Sequence, residues 1–151
     1  MTQNKLDISQ ATEALKGTRF VEALSLLELN LEKDSNHIDS LYLAAVCSRY
    51  LKNYDDSKKY IQSLLSQSPD MGRAYQELGH LNRDMGNQEN SIAHYRQACE
   101  LNPALLASWK ALYDYFRISK NKPAADHAFM QMNTLQSIPS ILLYISQILN
   151  E

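Results

Sequence analysis

The stretch GRAYQELGHLNRDMGNQENSIAHYRQACELNPAL, residues 72–105, decides the fold. Its first part sets Tyr75, Leu78, Leu81 and Met85 three or four residues apart, which places their side chains on one face of a helix. Ile92 and Tyr95, then Ala98 with Cys99, repeat that spacing in a second helix. Between the two, Gly86-Asn87 supplies residues that accept positive φ, and so tight a turn makes the helices antiparallel neighbours. Pro103 closes the segment, because proline cannot continue a helix.

At an offset of 34 residues the same features return on either side. Leu41, Tyr75 and Trp109 fall in one column, Ala44, Leu78 and Leu112 in another, and Ala45, Gly79 and Tyr113 in a third. On the second helices Phe20 aligns with Tyr54, Ala23 with Ser57, Ser91 and Ala125, and Leu27 with Ile61, Tyr95 and Phe129. Lys52-Asn53 and Lys120-Asn121 stand where Gly86-Asn87 stands, and Pro69 and Pro103 close successive units. A fixed period of this length signals a stack in which each helix pair buries its apolar face against its neighbours. The unit boundaries are 4–37, 38–71, 72–105 and 106–139, within one domain spanning 1–151. Residues 140–151 read as one more helix, with Ile141, Ile145 and Ile148 beside Leu142 and Leu149. Such a stripe left in water is an association site. The expectation is therefore that it is covered, either by the fourth unit or by a copy of itself in a homodimer through the C-terminal helix.

The unit Tyr75-x2-Leu78-Gly79, then Gly86, Ser91, Tyr95, Ala98 and Pro103, resembles the tetratricopeptide repeat. The resemblance covers nearly the whole chain. It implies an all-α fold, a tetratricopeptide-type superhelix (α-α solenoid) of about four helix pairs plus a C-terminal helix. In that packing the aromatic of the first helix fills the space beside the small residue at Gly79. The first unit departs from the pattern with Asp7 in the aromatic position, and the fourth has Tyr113 in the small position and Pro139 two residues late. A closer likeness lies in HIDSLYLAAVCSRYLKNY and GRAYQELGHLNRDMGNQENSIAHYRQACELNPALLASWKAL. These are similar to the N-terminal repeat region of bacterial proteins that carry a sulfotransferase domain further along. That resemblance implies the non-catalytic arm of such an enzyme, since this chain contains no Gly/Ser-rich phosphate loop.

Composition narrows the function. A net charge of −2 gives no global attraction to nucleic acid or anionic lipid, and no run of 18 apolar residues offers a membrane span. Cys47 and Cys99 form no CxxC pair and read as small buried hydrophobes, which fits a reducing cytoplasm. His37, His80, His94 and His127 have neither HExxH nor metal-ligand spacing, and His94 and His127, on second helices, read as solvated. No GxGxxG, GxxxxGK[ST] or GxSxG occurs, so catalysis, metal and cofactor are not expected.

What remains is a surface for a protein or peptide. The tetratricopeptide resemblance implies that first helices line a concave groove that holds the ligand. Its positions collect Asp39, Tyr42, Val46, Arg49 and Tyr50, then Arg73, Gln76, His80, Arg83 and Asp84, then Ala107, Lys110, Asp114, Arg117 and Ile118. Aromatic and arginine residues are enriched at interfaces. Arg49, Arg83 and Arg117 recur one unit apart, and packed helices lie roughly 8 to 10 Å from each other, so the three guanidiniums form a ladder suited to an acidic segment. The competing reading is local pairing, as Arg117 could make with Asp114. The clamp for chaperone C-terminal tails known in this family is excluded, because its positions hold Ile8, Thr12 and Leu43.

Overall fold

The computed structural model describes residues 7–149, and every described element is a helix. In chain order these are α1 (Ser9–Lys16), α2 (Phe20–Lys33), α3 (Ile38–Tyr50), α4 (Tyr54–Gln67), α5 (Gly72–Asp84), α6 (Gln88–Leu101), α7 (Leu106–Ile118), α8 (Lys122–Gln136) and α9 (Ser140–Leu149). The 34-residue period is visible in the helix ends themselves: α3, α5 and α7 begin at Ile38, Gly72 and Leu106 and finish at Tyr50, Asp84 and Ile118. The second helices α2, α4, α6 and α8 begin at Phe20, Tyr54, Gln88 and Lys122 in the same register. Asn4, where the sequence reading starts the first unit, lies outside the described residues.

Each pair is closed by the same turn. Thr18, Lys52, Gly86 and Lys120 have φ of 57°, 63°, 77° and 57°. The amides that follow, of Arg19, Asn53, Asn87 and Asn121, donate to the carbonyls of Ala14, Ser48, Asn82 and Phe116 at 2.8, 2.8, 2.8 and 2.9 Å. Only glycine adopts this left-handed conformation freely, so three of the four turns carry steric strain on the order of 1–2 kcal/mol each. The chain turns back on itself at every one of them because the hydrogen bond and the packing of the two helices outweigh that strain.

Contacts divide the chain after Pro69 into two compact units, Met1–Pro69 and Asp70–Glu151. In the first unit Ala11, Ala14, Ala23, Leu27, Ala44 and Cys47 form the core, its many alanines letting α1, α2 and α3 approach closely. Ser57 Oγ on α4 donates to the Ala45 carbonyl on α3 at 2.9 Å, a buried bond that ties the pair together. Phe20 and Tyr50 stack with centroids 4.5 Å apart. His37, unassigned by the sequence, caps α3, its Nδ1 accepting from the Ser40 amide at 3.3 Å.

The second unit is built on Tyr95, Cys99, Leu112, Phe116, Ala125 and Ala128. Ser91 Oγ donates to the Gly79 carbonyl at 2.8 Å, the counterpart of the Ser57 bond. The ring that fills the space at Gly79 is that of Tyr95 on α6, not that of Tyr75 as the repeat pattern suggests. A Cβ at Gly79 would lie 2.6 Å from Tyr95 Cδ1 and Cε1. Tyr75 instead sits beside His94, centroids 6.4 Å apart, which leaves His94 half-buried rather than solvated. In the α7–α8 pair both partners are large. Tyr113 meets Phe129 at 5.6 Å and Phe129 is 45% exposed, whereas Ile61 and Tyr95 in its column are 0% and 1% exposed.

Helix α9 begins 34 residues after α7, as the first helix of a fifth unit would. It is joined to the α6–α7 turn by polar bonds: Asn102 Nδ2 donates to the Gln147 carbonyl at 3.1 Å, and Gln147 Nε2 to the Ala104 carbonyl at 2.9 Å. Among the described residues, the side chains of its apolar stripe are not buried as expected. Leu142, Ile145, Ile148 and Leu149 are exposed; the Ile141 side chain lies outside the described residues.

Candidate functional site

In the first unit the expected groove residues are Tyr42, half-buried, with Arg49 and Tyr50 at the end of α3. The Arg49 guanidinium lies 4.5 Å from the Tyr50 ring centre, and Phe20 stacks on that ring. Arg49 is buried, so its stem and head are part of the packing around Tyr50.

In the second unit α5, α6 and α7 enclose a cleft of about 420 Å³. Arg83, Asp114 and Ile118 of the expected set line it, with Gln88, Ser91, Ile92, Tyr95, Ala111 and Tyr115. Arg83 Nη2 pairs with Asp84 at 3.3 Å across the helix end, both side chains in contact with solvent. Arg117 and Asp114, by contrast, form no ion pair among the described residues. His80 stands behind the wall, its Nδ1 2.6 Å from the Tyr95 hydroxyl, and Gln76 Oε1 accepts from Ser108 Oγ at 2.9 Å. Arg73 is half-buried, while Lys110 and Arg117 project into solvent from α7. Ile92 and Tyr115 went unrecognised in the sequence, although Ala111, Tyr115 and Ile118 carry the helical spacing that puts them on one face.

A second cleft, of about 490 Å³, opens on a different face of α7 between α6 and α8. Its walls include Trp109, whose indole N–H donates to the Pro103 carbonyl at 2.9 Å, and His127, exposed and edge-on to Trp109 at 5.5 Å. His94 and His127 are 33 residues apart and therefore one place out of register with each other. Cys47 and Cys99 are buried and not disulfide-bonded, as the sequence suggests, and burial with Glu100 nearby pushes the Cys99 thiol up to about 12. Burial holds the His94 imidazole below its ordinary value. Among the described residues no three His, Cys, Asp or Glu gather as metal ligands, and no helix is long and apolar enough to cross a membrane.

Comparison with known proteins agrees with this architecture. The tetratricopeptide repeat family model matches residues 72–105, the quoted stretch, and that of the coatomer epsilon subunit matches residues 1–78. The chain belongs to the coatomer epsilon subunit family, whose model spans just over half of it, and carries a tetratricopeptide repeat at residues 72–105. No curated protein sequence matches it significantly. Among solved structures, this tetratricopeptide-repeat chain is similar to MamA from Desulfovibrio magneticus RS-1, with TM-score 0.69, 17% identity, and 85% of this chain and 73% of that one covered. A further MamA crystal structure gives TM-score 0.65 and 16% identity over 93% and 76% of the two chains. A tetratricopeptide-repeat protein of Bacteroides fragilis NCTC 9343 gives 0.50 and 16% over 96% and 69%. At such identities the likeness is one of fold.

Proposed function

We propose that this chain is a non-catalytic interaction scaffold that holds a segment of another protein in the cytoplasm, with the α5–α6–α7 cleft as the contact surface in its second unit. One observation carries the reading: Ile118 is 71% exposed at the edge of a cleft that also presents Ile92 and Tyr115 beside Arg83 and Asp114. Apolar anchors inside a charged rim are how interfaces gain affinity and register. Asp114, with no ion pair among the described residues, and the exposed Arg83 offer charge to a partner, and an acidic stretch is favoured where Lys110 and Arg117 adjoin. The folds similar to this one, repeat stacks with extended surfaces, support a scaffold in general.

The test is affinity capture with the wild type, Arg83→Ala, Ile118→Asp and Asp114→Lys, all exposed positions whose change leaves melting within a few degrees. Loss of the same partner from Ile118→Asp and at least one charge variant is the expected result. Retention of every partner by all three moves recognition elsewhere. A second reading, self-association through α9, is favoured by exposures of 53%, 43%, 46% and 79% at Leu142, Ile145, Ile148 and Leu149. Under it, Ile145→Asp with Ile148→Asp converts a sedimenting dimer to monomer without lowering the melting temperature.

A further inference from the structure

The cleft between α6 and α8 has an internal template. Two repeats upstream, in the first unit, the Tyr60 ring packs against the core from α4 and its hydroxyl donates to Glu28 Oε1 on α2 at 3.2 Å. Shifted by two periods, Tyr60 becomes Ala128 and Glu28 becomes Arg96. The column that holds Leu26, Tyr60 and His94 in the other units thus holds an alanine here, buried at the foot of a cleft of about 490 Å³. The ring is missing, and the acceptor it bonded has become a cation.

We propose that this cleft receives one aromatic side chain of a partner polypeptide, with an acidic residue beside it held by Arg96. The Arg96 guanidinium lies 5.1 Å from the Phe116 ring centre and has no carboxylate partner among the described residues, although Glu100 is one helical turn away. Glu100 corresponds in register to Glu32 of the first unit, so it belongs to the template and not to the difference. Arg96 in place of Glu28 is the change that selects an acid. Trp109, fixed by its bond to Pro103, offers the incoming ring a rigid aromatic wall. The site is independent of the α5–α6–α7 cleft and stands whether or not that surface is used.

Trp109 is the only tryptophan, so its fluorescence reads occupancy directly. The probe is a heptapeptide with a central tyrosine between two glutamates, compared with a central-alanine version and a lysine-flanked version. The expected result is a saturable change in Trp109 emission with the first peptide, weaker by about tenfold or more with either control. Arg96→Glu, at an exposed position, should weaken binding of the glutamate-flanked peptide by about tenfold. Ala128→Tyr should abolish it by filling the cleft, and with Arg96→Glu added should rebuild the Tyr60–Glu28 pair and melt no lower than Arg96→Glu alone. No saturable change in the wild type, equal binding of the lysine-flanked peptide, or full binding by Arg96→Glu overturns the proposal, whether or not Ala128→Tyr folds.

Discussion

Gly79 and Tyr95 should be coupled strongly enough that one substitution changes sign with its background. In the wild type, Gly79→Ala places a Cβ 2.6 Å from two Tyr95 ring carbons, where unstrained carbon contacts lie at about 3.5–4.0 Å. The ring must retreat by roughly 1 Å, yet it is 1% exposed and its hydroxyl is 2.6 Å from His80 Nδ1. Overpacking of that kind costs about 1–3 kcal/mol, against which alanine inside a helix gains about 1 kcal/mol over glycine. The net effect is therefore a destabilisation of roughly 0–2 kcal/mol. Tyr95→Ile copies the preceding unit, where Ala45 already occupies the Gly79 column and Ile61 the Tyr95 column. In that background the clash is gone and Gly79→Ala should stabilise by about 1 kcal/mol. Urea denaturation followed by Trp109 fluorescence, which reports the second unit, yields the four corners of the cycle. A coupling of about 1–3 kcal/mol is expected. Effects of Gly79→Ala that agree within about 0.5 kcal/mol in the two backgrounds would refute the close contact.

The turns give a complementary test: Lys52→Gly and Lys120→Gly relieve left-handed strain and should each raise stability by about 1 kcal/mol, while Gly86→Ala lowers it by a similar amount, read by thermal melting. Ser57→Ala and Ser91→Ala each remove a buried bond to the facing helix and should cost about 0.5–1.5 kcal/mol in urea titrations; alanine at the same column in Ala23 and Ala125 shows that the space tolerates it. His94 sets a pH dependence. Its folded value lies below the ordinary 6.5, so the unfolded chain takes up the proton first. The stabilisation is complete above about pH 6.5 and is lost as pH falls toward the folded value. His94→Gln should flatten the change in urea midpoint between about pH 7 and 5, and an unaltered slope would assign that dependence to other groups.

The period was legible because it is written in residues whose roles do not depend on distant partners. Apolar spacing and turn residues placed every helix pair in register. Where a turn lacked its expected residue, the reading went silent: Gly17 stands one position early, and it is Thr18 that takes the positive φ. Columns also say which residues are equivalent, but not which columns face each other. That is why the ring at Gly79 came from Tyr95 and not from Tyr75, two residues whose sequence signals are alike. The docking of α9 was illegible for a different reason. Its stripe of isoleucines and leucines is conspicuous, while among the described residues the polar bonds that tie it down are those of Gln147 and Asn102, which recur nowhere in the pattern.

Repetition and departure from it divide the labour of this chain. Buried residues that return every 34 positions, such as Ser57 with Ser91 or Ala44 with Leu112, are used up in holding one helix to the next, so they have nothing left to offer a ligand. A recognition site draws instead on exposed residues, and those that break the pattern are the ones that differ from unit to unit. Ala128 and Arg96 break it in opposite ways, one by withdrawing a side chain and the other by reversing a charge, and both changes fall on the same cleft. Chance substitutions scattered over a surface have no reason to converge like this. Substituting buried recurrent residues should therefore move melting with little effect on binding, and substituting exposed departures should do the reverse. Asn102 and Gln147 are the informative exception: they break the pattern yet are spent on each other, and Gln147→Ala should loosen α9, seen as faster amide exchange over 142–149, while leaving both clefts unchanged.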